Sequence, residues 1–236
     1  MGRIFEKRKH KMFARYARMA KGFTKLGREI AIAVKAGGAD PAYNSRLRIA
    51  IQNAKAINMP KDRIDGAIQR ASSKGEGNFE EVVYEGYGPH GIAILAECTT
   101  DNPTRTVSNI RMHFSRGNGA LGKTGSLDFI FERKGVFRIA SQGQNKEELE
   151  LELIEHGLEE LAEAENELII YTKFSDFGAM QKALEEKKIN ILSAEKQRIP
   201  NTTTELTEEQ QKEVQELIDT LEEDDDVQVV FHNMAD

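Results

Sequence analysis

A single cysteine, Cys98, stands among the 236 residues, so the chain cannot close an internal disulfide and nothing in it calls for an oxidising compartment. No apolar run approaches the roughly 18–20 residues needed to cross a bilayer. The charged start has no apolar stretch behind it, unlike a secretory signal, and Glu6 stands where a myristoylation pattern needs Ser or Thr. The expected location is the cytoplasm, with no membrane partner. Paired chemistry is missing too. His10, His90, His113, His156 and His232 keep no metal-ligand spacing to one another or to Cys98. Cys98 closes an apolar stretch with no histidine nominated beside it, and reads as a small core residue. No two carboxylates single themselves out as an acid and a base. The expectation is a protein that is not an enzyme, with no cofactor, no metal and no small-molecule substrate.

What is present is charge, unevenly placed. The chain holds 33 Lys or Arg against 39 Asp or Glu, a net charge of -6. Residues 1–78 hold 18 of those cations and 6 of the anions, hence +12; residues 79–236 hold 15 and 33, hence -18. A division of this size points to a basic segment meeting a polyanion.

Residues 1–72 read as helices. Phe5, Met12, Tyr16, Met19 and Phe23 form one apolar stripe at helical spacing. Leu26, Ile30, Ala33 and Val34 form a second, closed by Gly37-Gly38. Asp40-Pro41 predicts the cap of a third helix carrying Leu47, Ala50, Ile51, Ala54 and Ile57, and Met59-Pro60 opens a fourth with Ile64, Ala67 and Ile68. Ser72–Gly77 reads as a linker. Beyond it, strands are expected at 82–84, 92–98 and 127–131, with a helix from Asn102-Pro103. Residues 135–200 then read strand, helix, two strands, helix, strand, the order of a ferredoxin-like unit. A closing helix over 207–223 and a strand over 227–231 would complete the unit begun at 82, leaving 135–200 inserted within it. The predicted class is α+β with three domains: 1–77, a basic helical domain; 78–134 plus 201–236, a split α/β domain; and 135–200, the insertion.

Gly117–Thr124 satisfies the phosphate-binding pattern G-x-x-x-x-G-K-[ST]. That pattern works where a strand precedes the loop and a helix follows, because the phosphates sit at the helix N-terminus. Here the expected order is helix, loop, strand, so a glycine-rich turn is the better reading and an NTPase is disfavoured. Asp101 and Arg105 sit one helical turn apart beside a capping Asn102, which reads as a local ion pair.

The basic segment is harder to dismiss. Lys7, Lys11, Arg15 and Arg18 recur along one helical face, and Arg8, Lys9, Lys21, Lys25 and Arg28 add to it. Between residues 7 and 28 there are nine Lys or Arg and no Asp or Glu. A solvated helix face ordinarily interleaves acids; uncompensated positive charge repels itself unless an anion is its target. Arg46 and Arg48 extend the charge to the third helix. The expected nucleic-acid contacts are therefore Lys7, Arg8, Lys11, Arg15, Arg18, Lys21, Lys25, Arg28, Arg46 and Arg48, gripping phosphate by bidentate arginines and by counterion release.

Residues Lys21–Ile30, Gly37-Gly-Ala-Asp-Pro41, Asn44–Arg48, Tyr84-Glu-Gly-Tyr-Gly-Pro89, Thr100–Thr106, Leu121–Ser126 and Asp224–Gln228 together resemble the YebC/PmpR family over nearly the whole chain. The resemblance implies an all-helical first domain and two α/β domains with the third inserted in the second. It implies a DNA-binding transcriptional regulator, or, by analogy with a mitochondrial member that activates synthesis of cytochrome oxidase subunit one, a ribosome-associated factor acting at proline-rich stretches. The expected partner is duplex DNA or ribosomal RNA, with the ribosome as an alternative. Two motifs depart from the family: Gly-His-Ser-Lys-Trp is replaced by Gly2-Arg-Ile-Phe-Glu6, and Gly-Pro-Gly-Gly reads Gly88-Pro89-His90-Gly91.

Overall fold

The computed structural model describes residues 22–73 and 79–235. The helix expected over the Phe5–Phe23 stripe, and most of the Ser72–Gly77 linker, lie outside those residues.

Among the described residues three helices form the N-terminal unit: α1 (Phe23–Gly37), α2 (Ser45–Ala56) and α3 (Lys61–Ser72). The 3.6-residue period of Leu26, Ile30, Ala33 and Val34 puts them on one face of α1, where they are buried against Leu47, Ala50, Ala54, Ile64 and Ala67. Gly38, at φ +88°, ends α1 in a conformation cheap only for glycine. α2 starts later than Asp40-Pro41 predicts. Asp40 caps a tight turn instead, its Oδ1 accepting from Ala42 N at 2.9 Å. Asn44 takes the N-cap: its Oδ1 accepts from Leu47 N at 3.0 Å, while its Nδ2 donates to the carbonyls of Ala33 and Gly38 at 2.7 and 2.8 Å. One buried amide thereby caps α2 and holds the end of α1.

The chain then lays down β1 (Glu80–Tyr87), β2 (Ala93–Thr100), α4 (Pro103–Arg116) and β3 (Ala120–Leu121). It leaves for β4 (Phe131–Ala140), α5 (Lys146–Leu153), β5 (Leu158–Ala164), β6 (Glu167–Lys173), α6 (Phe177–Glu186) and β7 (Ile191–Pro200), and returns with α7 (Glu208–Glu223) and β8 (Val227–His232). The first antiparallel sheet has the order β3-β1-β2-β8, the second β5-β6-β4-β7. The architecture is multidomain α+β, with one α/β unit inserted into another. α4 and α7 cover the first sheet through Ile110, Phe114, Val214, Leu217 and Leu221; α5 and α6 cover the second through Leu149, Leu153, Met180 and Leu184. Thr207 opens α7 with a reciprocal cap to Gln210.

The strand expected over 127–131 is absent. Residues 124–130 are turns and β4 begins at Phe131. Leu127 and Phe131 are buried four residues apart, a spacing set by turns rather than by a pleat. His90, where the family motif carries glycine, adopts φ +60° and places its Nε2 2.8 Å from Glu213 Oε2 on α7. A side-chain contact to α7 thus accompanies a backbone geometry unfavourable to a side chain.

Three contacts fasten α2 to β7, the edge of the second sheet. Asn53 Nδ2 donates to Ala194 O at 2.9 Å and Asn53 Oδ1 accepts from Ala194 N at 3.0 Å. Gln52 adds a bond to Ile191 O. Ile49, from the same helix, enters the core of the second sheet.

Candidate nucleic-acid interface

Of the ten expected contacts, Lys7, Arg8, Lys11, Arg15, Arg18 and Lys21 lie outside the described residues. The other four are placed, and each reaches from the helical unit to an acidic or carbonyl group elsewhere. Lys25 and Arg28 are three residues apart on α1 and meet the turn between α7 and β8. Lys25 Nζ donates to Glu222 O at 2.9 Å. Burial pulls its ammonium below the usual value, partly offset by Glu222, Asp225 and Asp224. Arg28 Nη1 donates to Thr99 O at 3.0 Å, Asp225 O at 2.6 Å and Asp226 Oδ1 at 2.9 Å, and its guanidinium lies over Phe79.

Asp226 is the centre of this cluster. Its side chain is 4% exposed and pairs with both Arg28 and Arg105. Thr106 Oγ1 donates to its Oδ2 at 2.7 Å. Burial raises such a carboxyl, yet the hydrogen bonds from Thr106, Arg105 and Arg28 outweigh it and hold Asp226 below its ordinary range. Arg105 also pairs with Asp101 at 2.9 Å, and Asn102 caps α4, as their spacing predicts. Asp226 itself escaped the sequence reading; the run Asp224-Asp225-Asp226 was its only trace, and a run of acids does not say which member turns inward.

Arg46 and Arg48 point elsewhere. Arg46 pairs with Glu81 of β1 at 2.5 Å. Arg48 grips Glu185 of α6 with Nε at 3.0 Å and Nη2 at 2.9 Å, and its hydrogen bonds hold the Glu185 carboxyl low. The structure therefore brings Lys25 and Arg28 into one cluster and leaves Arg46 and Arg48 in two others. All four tie the helical unit to the α/β units.

Glu29 is the acid of this region that resists ionisation. Its burial, together with Glu195, pushes the carboxyl up to about 7. An unfolded glutamate titrates near ~4.3, so this raised value contributes stability that is full below that pH and lost as pH rises through about 7. Glu29→Gln should therefore melt above the parent at about pH 8, with the two converging below roughly pH 4. Parallel melting curves at every pH would count against it.

The phosphate-loop look-alike leads into turns that Glu85 holds. Glu85 of β1 is 3% exposed, and its Oε1 accepts from Gly125 N at 2.8 Å while its Oε2 accepts from Leu127 N at 2.7 Å. Its own carbonyl takes Gly122 N at 2.7 Å. Of these three amides only Gly122 N lies within Gly117–Thr124, the other two following it, and β4 rather than a helix comes after the turns. Cys98 is 2% exposed; burial, with Asp224 and Asp226 nearby, pushes its thiol up to about 12. It stays a protonated core residue.

Two family models match the chain: one described as TACO1/YebC protein N-terminal domain over residues 3–74, and one described as TACO1/YebC second and third domain over 79–234. A "Probable transcriptional regulatory protein" of Cytophaga hutchinsonii is 61% identical over 236 residues, covering 100% of this chain and 99% of that one. A protein of the same description from Anaeromyxobacter dehalogenans is 53% identical, with both chains fully covered. The crystal structure of a conserved hypothetical protein from Aquifex aeolicus superposes with a TM-score of 0.77 at 39% identity, covering 92% of this chain and 90% of that one.

Proposed function

Because the chain belongs to the TACO1/YebC family, whose relatives bear the names of transcriptional regulators, we propose that it is a non-enzymatic, cytoplasmic regulator of gene expression that binds duplex DNA by its phosphates. The observation that carries this reading is the run of nine cations without an acid between residues 7 and 28. In this proposal the head groups of Lys7, Arg8, Lys11, Arg15, Arg18 and Lys21 meet phosphate directly. Lys25, Arg28, Arg46 and Arg48 reach it only by exchanging their bonds to Glu222, Asp226, Glu81 and Glu185. The three domains are taken as 1–77, 78–134 with 201–236, and 135–200.

Binding should fall steeply with salt, by about 0.9 log units in affinity per log unit of salt for each phosphate neutralised. The test is a salt series with duplex DNA and with purified ribosomes, comparing the parent with a Lys7→Glu, Lys11→Glu, Arg15→Glu triple variant. Each mismatched charge removes a phosphate contact, so a loss of about tenfold or more is expected. Affinity for DNA that survives physiological salt supports the reading. Retention on ribosomes alone would replace it with the translational alternative, and unchanged binding to both would remove the basic face from the mechanism.

A further inference from the structure

The inserted unit carries an excess of acid: residues 135–200 hold 8 Lys or Arg against 14 Asp or Glu, hence -6. One end of its sheet is the exception. β4 and β7 pair so that Arg133 faces Arg198 and Gly135 faces Lys196. Paired residues share a face, so Arg133, Arg198 and Lys196 crowd together on the side covered by α6. Strand alternation sends the neighbouring acids, Glu132 and Glu195, to the opposite side. Like charges placed directly across a sheet destabilise it unless something offsets them.

Arg198 is offset, at 3.0 Å from Glu97 and 3.9 Å from Asp128. Arg133 and Lys196 are exposed and lean on aromatic rings instead. The Arg133 guanidinium carbon is 3.7 Å from the centroid of Phe174, and Lys196 Nζ is 5.4 Å from Phe174 and 5.9 Å from Phe177. Phe177 is itself fixed. Its ring stacks on Phe137 at 4.7 Å and lies so close over Gly135 that a Cβ there would come within 2.7 Å of it. The result is a planar cation held against a half-buried ring on the sheet, with an exposed ammonium alongside.

We propose that Arg133, Phe174 and Lys196 form a platform for an unstacked base and its phosphate, that is, for single-stranded nucleic acid. A guanidinium resting on a ring offers its free face to a base, and the adjoining cations offer their charge to the backbone. A duplex, whose bases are already stacked, gains only the charge. The site lies on the second sheet, where β4 enters the inserted unit, and is separate from the basic segment at 7–28, so each can fail without the other.

The test uses the full chain and fluorescence anisotropy. The probes, each of about a dozen nucleotides, are labelled oligouridylate, oligothymidylate, an abasic strand of the same charge, and a duplex. The parent should bind base-bearing strands about tenfold tighter than the abasic strand, the gain expected of a stacked base. Phe174→Leu and the double variant Arg133→Gln, Lys196→Gln should erase that preference while duplex binding to the basic segment holds. The charge reversals at Lys7, Lys11 and Arg15 should do the opposite, lowering duplex binding and keeping the base preference. A parent indifferent to the bases would overturn the proposal, and this reading does not depend on any variant folding. So would variants that lose duplex and single strand equally, or that melt lower yet bind as the parent does. Comparison of the two base-bearing strands assigns RNA or DNA.

Discussion

Asp226→Ala should lower the melting temperature by about 6–12 °C, corresponding to roughly 3 kcal/mol in a chain of this length. Two arginines from different units converge on this carboxylate, which is almost wholly enclosed. Truncation leaves Arg28, itself only 17% exposed, with carbonyl partners but no counter-charge. Arg105, at 47% exposure, can turn to water and keep Asp101, which holds the cost below that of a fully buried pair. Asp226→Asn should rescue little, because every neighbour aimed at the carboxylate is a donor and an amide nitrogen there would face donors. The loss should be local before it is global, with faster amide exchange along α1 ahead of the sheets. The acid limb follows from the same group. A carboxyl held low contributes stability that is present above about pH 4 and disappears as pH falls through its folded value, so the parent should converge on the variant in acid. A variant that melts with the parent at neutral pH would show that the remaining contacts of α1 and α2 hold the helical unit without Asp226.

Glu85→Ala should cost about 2–4 kcal/mol, from two amides left without an acceptor and the space where the carboxylate stood. Leu127 N is buried, and water is poorly placed to replace the lost bond. Glu85→Gln should lie between the parent and Ala, since one amide oxygen can still accept while the NH2 group opposes the other N–H. The damage should centre on residues 122–127 and the start of β4, measurable by amide exchange. Titration of the parent with nucleotide should give no signal. Nucleotide binding by the parent would mean the loop serves a second purpose.

The secondary structure was open to inspection in the sequence wherever burial has a period. The stripe Leu26, Ile30, Ala33, Val34 has one, and its helix forms where expected. The failures have a common cause: a side chain from elsewhere in the chain decided the local backbone. Asn44 captured the start of α2 because its amide could also satisfy two carbonyls of α1. Glu85 bent residues 124–130 into turns across about 40 positions of chain separation. The candidate site divides the same way. That cations dominate the N-terminal segment was plain in the composition, whereas the engagement of Lys25, Arg28, Arg46 and Arg48 depends on partners up to 198 residues away. Arg133, Lys196 and Phe174 look like scattered residues in sequence, because the register between β4 and β7 is what assembles them.

The Asn53–Ala194 pair has a consequence for how the protein is made. A ribosome releases α2 long before it releases β7, so the helix is waiting when the last strand of the inserted sheet arrives. β7 reaches completion as a bare edge, with amide and carbonyl groups able to recruit a strand from any nascent neighbour. By offering one donor and one acceptor to that edge, Asn53 occupies backbone groups that would otherwise be open to a strand of another chain.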